Sequence, residues 1–189
     1  MKKTKAIVPQ HISDFLNLFH SIVFNGSDGE ENYVQYLTLS QKECISLALS
    51  IYYQCPHCID YHAKVLSKLK SVKENVLFKH VASMILFLRT DISRISEPEL
   101  ERWLETWDQL SLKITTKYRD EIVPDLVGLS IGIARNDELL IKMFGKRIKD
   151  YFGTKNTGVM GELISVVLFM KAATSKNRIS DKIEKFLDN

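Results

Sequence analysis

The feature that most constrains this chain is the period of its apolar residues, which is helical almost from end to end. Between Ile12 and Val23 they fall at positions 12, 15, 16, 19, 22 and 23, the spacing of one helical face. Asn25-Gly26-Ser27-Asp28-Gly29 breaks the pattern. Ser40 opens the next helix, with Glu43 in capping-box position and an apolar stripe of Cys44, Leu47, Ala48 and Ile51. Pro56 marks another start, because proline favours the first helical turn. That helix runs through His62 towards Leu69, and one more covers 74–90. Glu97-Pro98 opens a helix carrying Trp103, Leu104 and Trp107, and others are expected near 121–134, 137–151, 158–173 and 179–187. No stretch alternates with period two between turn signals, so no strand is expected. The pattern reads as an all-α fold.

Size and charge narrow the class further. At 189 residues the chain reads as one domain, 1–189, able to bury roughly 70% of its unfolded surface without stapling disulfides. Its 26 Lys and Arg against 23 Asp and Glu leave a charge of +3, too mild to argue for nucleic acid or a membrane surface. Lys2, Lys3 and Lys5 are followed by only Ala6-Ile7-Val8 before Pro9, well short of a secretory apolar region. The expected compartment is the cytoplasm. Three cysteines, at 44, 55 and 58, are an odd count there, arguing for reactive or metal-binding thiols over a disulfide framework.

Three pairs of segments resemble each other in order. Val81 to Arg89 resembles Leu163 to Lys171, Glu99 to Leu104 resembles Lys182 to Leu187, and Leu47 to Ile51 resembles Val127 to Ile131. The offsets nearly agree, which suggests two helical repeats, about 43–104 and about 126–187. This register sets Cys55, His57, Cys58 and His62 opposite Arg135, Asp137, Glu138 and Lys142, so the second copy carries no thiol chemistry.

The chemistry sits in Glu43, Cys55-Pro56-His57-Cys58 and His62. Two cysteines separated by two residues can close a short disulfide. A helix start offers free N–H groups and partial positive charge, which favour thiolate over thiol. Cys58 and His62 are four apart, on one face, so the imidazole is placed to take the thiol proton. A three-ligand zinc site of Cys55, Cys58 and His62, within a helical scaffold module, is the rival reading. Covalent haem attachment needs histidine where Ile59 stands. No glycine-rich nucleotide or phosphate motif occurs, so no cofactor is expected and electrons must arrive by thiol–disulfide exchange.

Glu43, the Cys55/Cys58 pair, His57 inside it and His62 together resemble the AhpD-type alkylhydroperoxidase branch of the carboxymuconolactone decarboxylase family. The likeness covers about 36–90. It implies an AhpD-like helical fold and a thiol-dependent peroxidase in antioxidant defence. Carried over, Cys58 attacks hydrogen peroxide or an organic hydroperoxide, and Cys55 closes the disulfide. His62 and Glu43 relay the proton, with His57 helping from the solvent side. The helix-start argument alone would favour Cys55 as nucleophile. The implied reductant is a dithiol such as a dihydrolipoamide-bearing protein, and the implied assembly a homo-oligomer, trimer or hexamer. A disulfide reductase or redox sensor is the alternative within the same chemistry. In a straight helical hairpin about Cys55, His62 and Glu43 lie ~6 Å apart along the axis, which calls for a bridging water.

The remaining candidates read as structure. Cys44 lies on the apolar stripe and is expected in the core. His11, His20 and His80 have no motif partner and are expected at the surface or satisfied within helices. Tyr52, Tyr53 and Tyr61 are expected to pack beside the motif. Trp103 and Trp107, four apart, are expected in the core or at a subunit interface.

Overall fold

The computed structural model describes residues 9–25 and 34–187, and within them there is no strand. The chain runs through α1 (Gln10–Asn25), α2 (Leu39–Tyr52), α3 (Pro56–Lys70), α4 (Glu74–Leu88), α5 (Glu97–Tyr118), α6 (Val123–Arg135), α7 (Glu138–Phe152) and α8 (Asn156–Leu187). A short 3-10 turn, Gly153–Lys155, joins the last two, and its Gly153 takes the left-handed φ that glycine tolerates best. The all-α class stands.

α2 and α6 pack against each other at the centre. Every residue from Gln41 to Ser50 and from Val123 to Gly132 is buried, so these two helices are enclosed on all sides. α3 and α4 cover α2, α7 covers α6, and α8 touches both central helices. α4 and α8 present matching inner faces. Leu77, Val81, Met84, Ile85 and Leu88 are buried on one, and Val159, Leu163, Val166, Val167 and Met170 on the other. The helical stretch Glu138–Ile183 contains a window of mean hydropathy 1.4, long and apolar enough to cross a membrane, but 44% of that window is buried inside the fold.

Two expectations change. The break predicted between 173 and 179 is absent, and α8 continues through it. There Thr174 Oγ1 donates to the Met170 carbonyl, and the polar residues 175–178 mark the turn that meets the thiols. Second, the N-cap of α2 is Thr38, whose capping box uses Gln41 in place of Ser40 and Glu43. Two overlapping boxes are written in the sequence, and the helix takes the earlier, which leaves Glu43 free to face inwards. Of the two places expected for Trp103 and Trp107, the core is the one they take: both are buried in the protomer, stacked 6.2 Å apart and packed on Phe87 and Phe144.

A buried cation ties α1 over this core. Lys42, with no exposed surface, donates to the Val23 carbonyl at 2.8 Å and pairs with Glu162 at 3.3 Å. Glu162 also accepts from the Tyr36 and Leu37 amides, so one carboxylate anchors three segments.

Candidate active site

The site begins at the corner between α2 and α3. Gln54 takes φ 57°, and the Cys55 amide donates back to the Ser50 carbonyl at 3.0 Å. Cys55 is the N-cap of α3 in extended conformation, and Pro56 follows as the first helical residue. One helical turn on, Cys58 lies with its Cα 5.4 Å from that of Cys55, and the two form a disulfide. Cys55 is wholly buried, while Cys58 lines a cavity of about 380 Å³. Of the two sulfurs, the one that a small molecule in the cavity meets is therefore Cys58. Cavities of this volume are typical of small-ligand sites.

Behind the thiols, His62 Nδ1 lies 2.7 Å from Glu43 Oε2, and both side chains are buried. The contact is direct, not water-bridged. The helices end at Tyr52 and Pro56, so the arms measure about 13.5 and 9 Å and the mismatch falls to ~4.5 Å, within side-chain reach. A carboxylate only accepts, so Nδ1 carries a proton, which in the neutral ring leaves the lone pair on Nε2. Glu43 thus sets the tautomer that a base on the Cys58 face of α3 requires.

His57 behaves differently. It is 71% exposed and pairs with Asp181 at 3.4 Å, a surface contact of small energetic weight. Cys44 is fully enclosed, and desolvation pushes its thiol up to about 12, with Asp120 adding to the rise. It is inert beside the pair.

Two site residues have no spacing signal that links them to the motif. Asn177 on α8 directs its Nδ2 at Cys58 Sγ, 3.4 Å away, and at Cys55 Sγ, 3.8 Å away. His20 on α1 lines the same cavity, against the expectation of a surface or satisfied residue. Tyr61 also lines it and meets the His62 ring edge-on at 5.0 Å, whereas Tyr52 and Tyr53 pack on each other as expected. Leu16, Phe169 and Ala173 supply the apolar wall, and Lys176 and Asn17 add polar groups. Among the described residues no group of three or more His, Cys, Asp or Glu is arranged to hold a metal ion.

The same corner recurs between α6 and α7. Asn136 takes φ 56°, the Asp137 amide donates to the Gly132 carbonyl at 2.9 Å, and Asp137 caps α7. Cys55 therefore corresponds to Asp137, Cys58 to Leu140, His62 to Phe144 and Glu43 to Asp125. This register lies two residues beyond the one set by matching Leu47 with Val127, because that match aligned apolar residues inside two helices buried all round. The comparison with known proteins adds nothing to this geometry: no protein-family model, curated protein or solved structure matches the chain.

Proposed function

We propose that the protein is a thiol-dependent peroxidase of AhpD-like type, working through a Cys55/Cys58 dithiol–disulfide cycle. The observation that carries the reading is the Cys58 sulfur at a small cavity, with its bonded partner Cys55 buried behind it. In the reduced protein His62 takes the Cys58 thiol proton. The thiolate attacks the terminal peroxide oxygen and the O–O bond breaks. The departing oxygen takes the proton and leaves as alcohol or water, and Cys58 becomes a sulfenic acid. The Cys55 thiol then attacks that sulfur, expels water and closes the disulfide. An external dithiol, such as a dihydrolipoamide arm, returns the two electrons. Glu43 stabilises the imidazolium between these steps, as a third group does for other base-activated nucleophiles. The near-burial of Cys58, at 6% exposure, favours a small substrate over a folded disulfide partner.

The decisive experiment is hydroperoxide consumption with dihydrolipoamide as donor, comparing wild type with Cys58→Ser. Turnover by the wild type and none by the variant is expected. A wild type that reduces small or protein disulfides but no peroxide would replace the reading with disulfide reduction.

The reading includes a cytoplasmic, homo-oligomeric protein of at least three subunits. Phe15, Leu18 and Ile22 on α1 and Ile164 and Leu168 on α8 are exposed apolar side chains of the kind that mark interfaces. A monomeric mass by light scattering at micromolar concentration would remove that part. It also includes α2–α4 and α6–α8 as two copies of one helical unit, only the first of which kept its thiols.

A further inference from the structure

The cavity beside Cys58 holds a polar group that the thiol cycle leaves unused. His20 lines it with Cys58, Tyr61 and His62, and its Nε2 is buried with no hydrogen-bond partner. A buried polar atom left unpaired costs about 1–3 kcal/mol. Such atoms are few in folded proteins, and each calls for a reason. The ring is held in place. It stacks on Phe24 at 4.6 Å and meets Phe169 at 5.4 Å and Tyr61 at 6.3 Å. Phe24 in turn stacks on His62 at 6.1 Å, so one phenyl ring touches both imidazoles. Lys42 holds the carbonyl of Val23, the residue before Phe24, which fixes this end of α1.

The surroundings of His20 favour its neutral ring. Burial lowers its pKa, Glu43 opposes that in smaller measure, and His62 lowers it further. A neutral imidazole carries one N–H donor and one acceptor. A rigid, uncharged donor in an apolar pocket next to a nucleophile suits an oxygen on which charge develops.

We propose that His20 is a substrate-binding residue, donating a hydrogen bond to the peroxide oxygen that bears the alkyl group and so turning the other oxygen towards Cys58. The assignment rests on the peroxidase reading above. As the thiolate attacks the terminal oxygen and the O–O bond breaks, negative charge gathers on the alkyl-bearing oxygen. A fixed donor there stabilises the transition state more than the ground state. The proton that completes the alcohol is the one His62 took from Cys58, so His20 ends the step unchanged. Leu16, Phe169 and Ala173 line the same cavity and give the alkyl group an apolar surface.

The test uses His20→Phe, which keeps an aromatic ring on Phe24, and His20→Gln, which restores an N–H donor. Turnover of tert-butyl hydroperoxide with dihydrolipoamide is measured beside iodoacetamide alkylation of the reduced protein, with circular dichroism to verify folding. His20→Phe is expected to lose about 100-fold in kcat/KM, with an unchanged alkylation rate, and His20→Gln to recover most of that loss. A His20→Phe variant as active as wild type would overturn the assignment. So would a parallel loss in alkylation, which would mean that His20 acts on the thiol and not on the peroxide. A wild type that consumes no peroxide takes down both readings, whereas an active wild type indifferent to His20→Phe takes down this one alone.

Discussion

At the α2–α3 corner Cys55 sits at φ −103°, ψ 98°, and at the α6–α7 corner Asp137 sits at φ −97°, ψ 98°. Each follows a residue in left-handed conformation, Gln54 or Asn136, and each returns its amide to the preceding helix. The backbone is the same and the side chains are not. Asp137 accepts a hydrogen bond from the Leu140 amide and caps its helix, whereas Cys55 makes no side-chain cap. Leu140 and Phe144 fill the space that Cys58 and His62 occupy in the first corner. Where Glu43 holds His62, Asp125 accepts from Trp107 Nε1 and Arg147 Nε. A buried carboxylate is satisfied in both corners, but only the first binds it to an imidazole, a group that can take up and return a proton. The second corner is what the fold adopts when packing alone decides. The first departs from it at Cys55, Cys58, His62 and Glu43, which are the residues that the proposed chemistry needs.

The largest effect should come from putting the second corner's residue into the first at the sulfur. Cys58→Leu copies Leu140, and Cys58→Ser removes the nucleophile without adding volume. Both are expected to bring peroxide turnover down to the uncatalysed rate, because nucleophile and resolving thiol act as a unit. Stopped-flow peroxide consumption measures this. Appreciable turnover in Cys58→Ser would transfer the nucleophile to Cys55, as the helix-start argument alone suggests.

Next in size is the base. His62→Phe copies Phe144 and keeps the ring volume while removing the proton acceptor. General-base contributions run at about 100- to 10,000-fold, so a loss of at least two orders of magnitude in kcat/KM is expected. Glu43→Gln should fall less, since Nδ1 keeps an acceptor but the imidazolium loses its charge partner. If Glu43→Gln holds near wild-type rates across pH 6–8, the buried pair serves packing, and the two corners differ less than their residues suggest.

How much of this difference could be read from the sequence depends on how far apart in the chain its parts lie. The Cys55–Cys58 spacing, the His62 face and the helix start at Pro56 are all contained in one helix, so periodicity and capping rules reach them. Glu43 was reachable because α2 and α3 are consecutive, though its contact distance was not, since that depends on where each helix ends. His20 and Asn177 come from α1 and α8 and carry no spacing signal, because only the packing of those helices on α2 brings them to the cavity. The polar run at 175–178 did hold a signal, but a polar turn on the wall of a site and a break between helices look alike in one dimension.

A smaller effect is expected from Asn177, which has no counterpart contact at Asp137. Its Nδ2 points at the Cys58 sulfur, and a donor there favours the thiolate over the thiol. Asn177→Leu should raise the Cys58 thiol pKa, slowing iodoacetamide alkylation of the reduced protein by about 10-fold at neutral pH, as one pKa unit corresponds to ~1.4 kcal/mol. An unchanged pH profile of alkylation would reduce Asn177 to a packing residue.

The smallest effect should have the opposite sign and bears most directly on the comparison. The second corner places aspartate at the helix N-cap, where its carboxylate satisfies a backbone amide that the helix itself cannot. Cysteine at the same position in the first corner forgoes that bond. Replacing a capping side chain with a non-capping one typically costs about 1 kcal/mol, so Cys55→Asp should return a gain of that order. Part of the gain is offset because Cys55 is fully buried, and a carboxylate there must be desolvated before it reaches the Cys58 amide. The comparison must be made with reduced wild type, since the disulfide would otherwise stabilise the reference by constraining its unfolded state. Urea unfolding under a reducing agent supplies the number, and Cys55→Ser, itself a capping residue without charge, separates the hydrogen bond from the desolvation cost. Stabilisation by either variant, with turnover lost in both, would mean that the first corner gives up helix stability to keep a thiol at its N-cap. If both variants are less stable than reduced wild type, the cysteine is there for packing and the two corners are alternative solutions to the same structural problem.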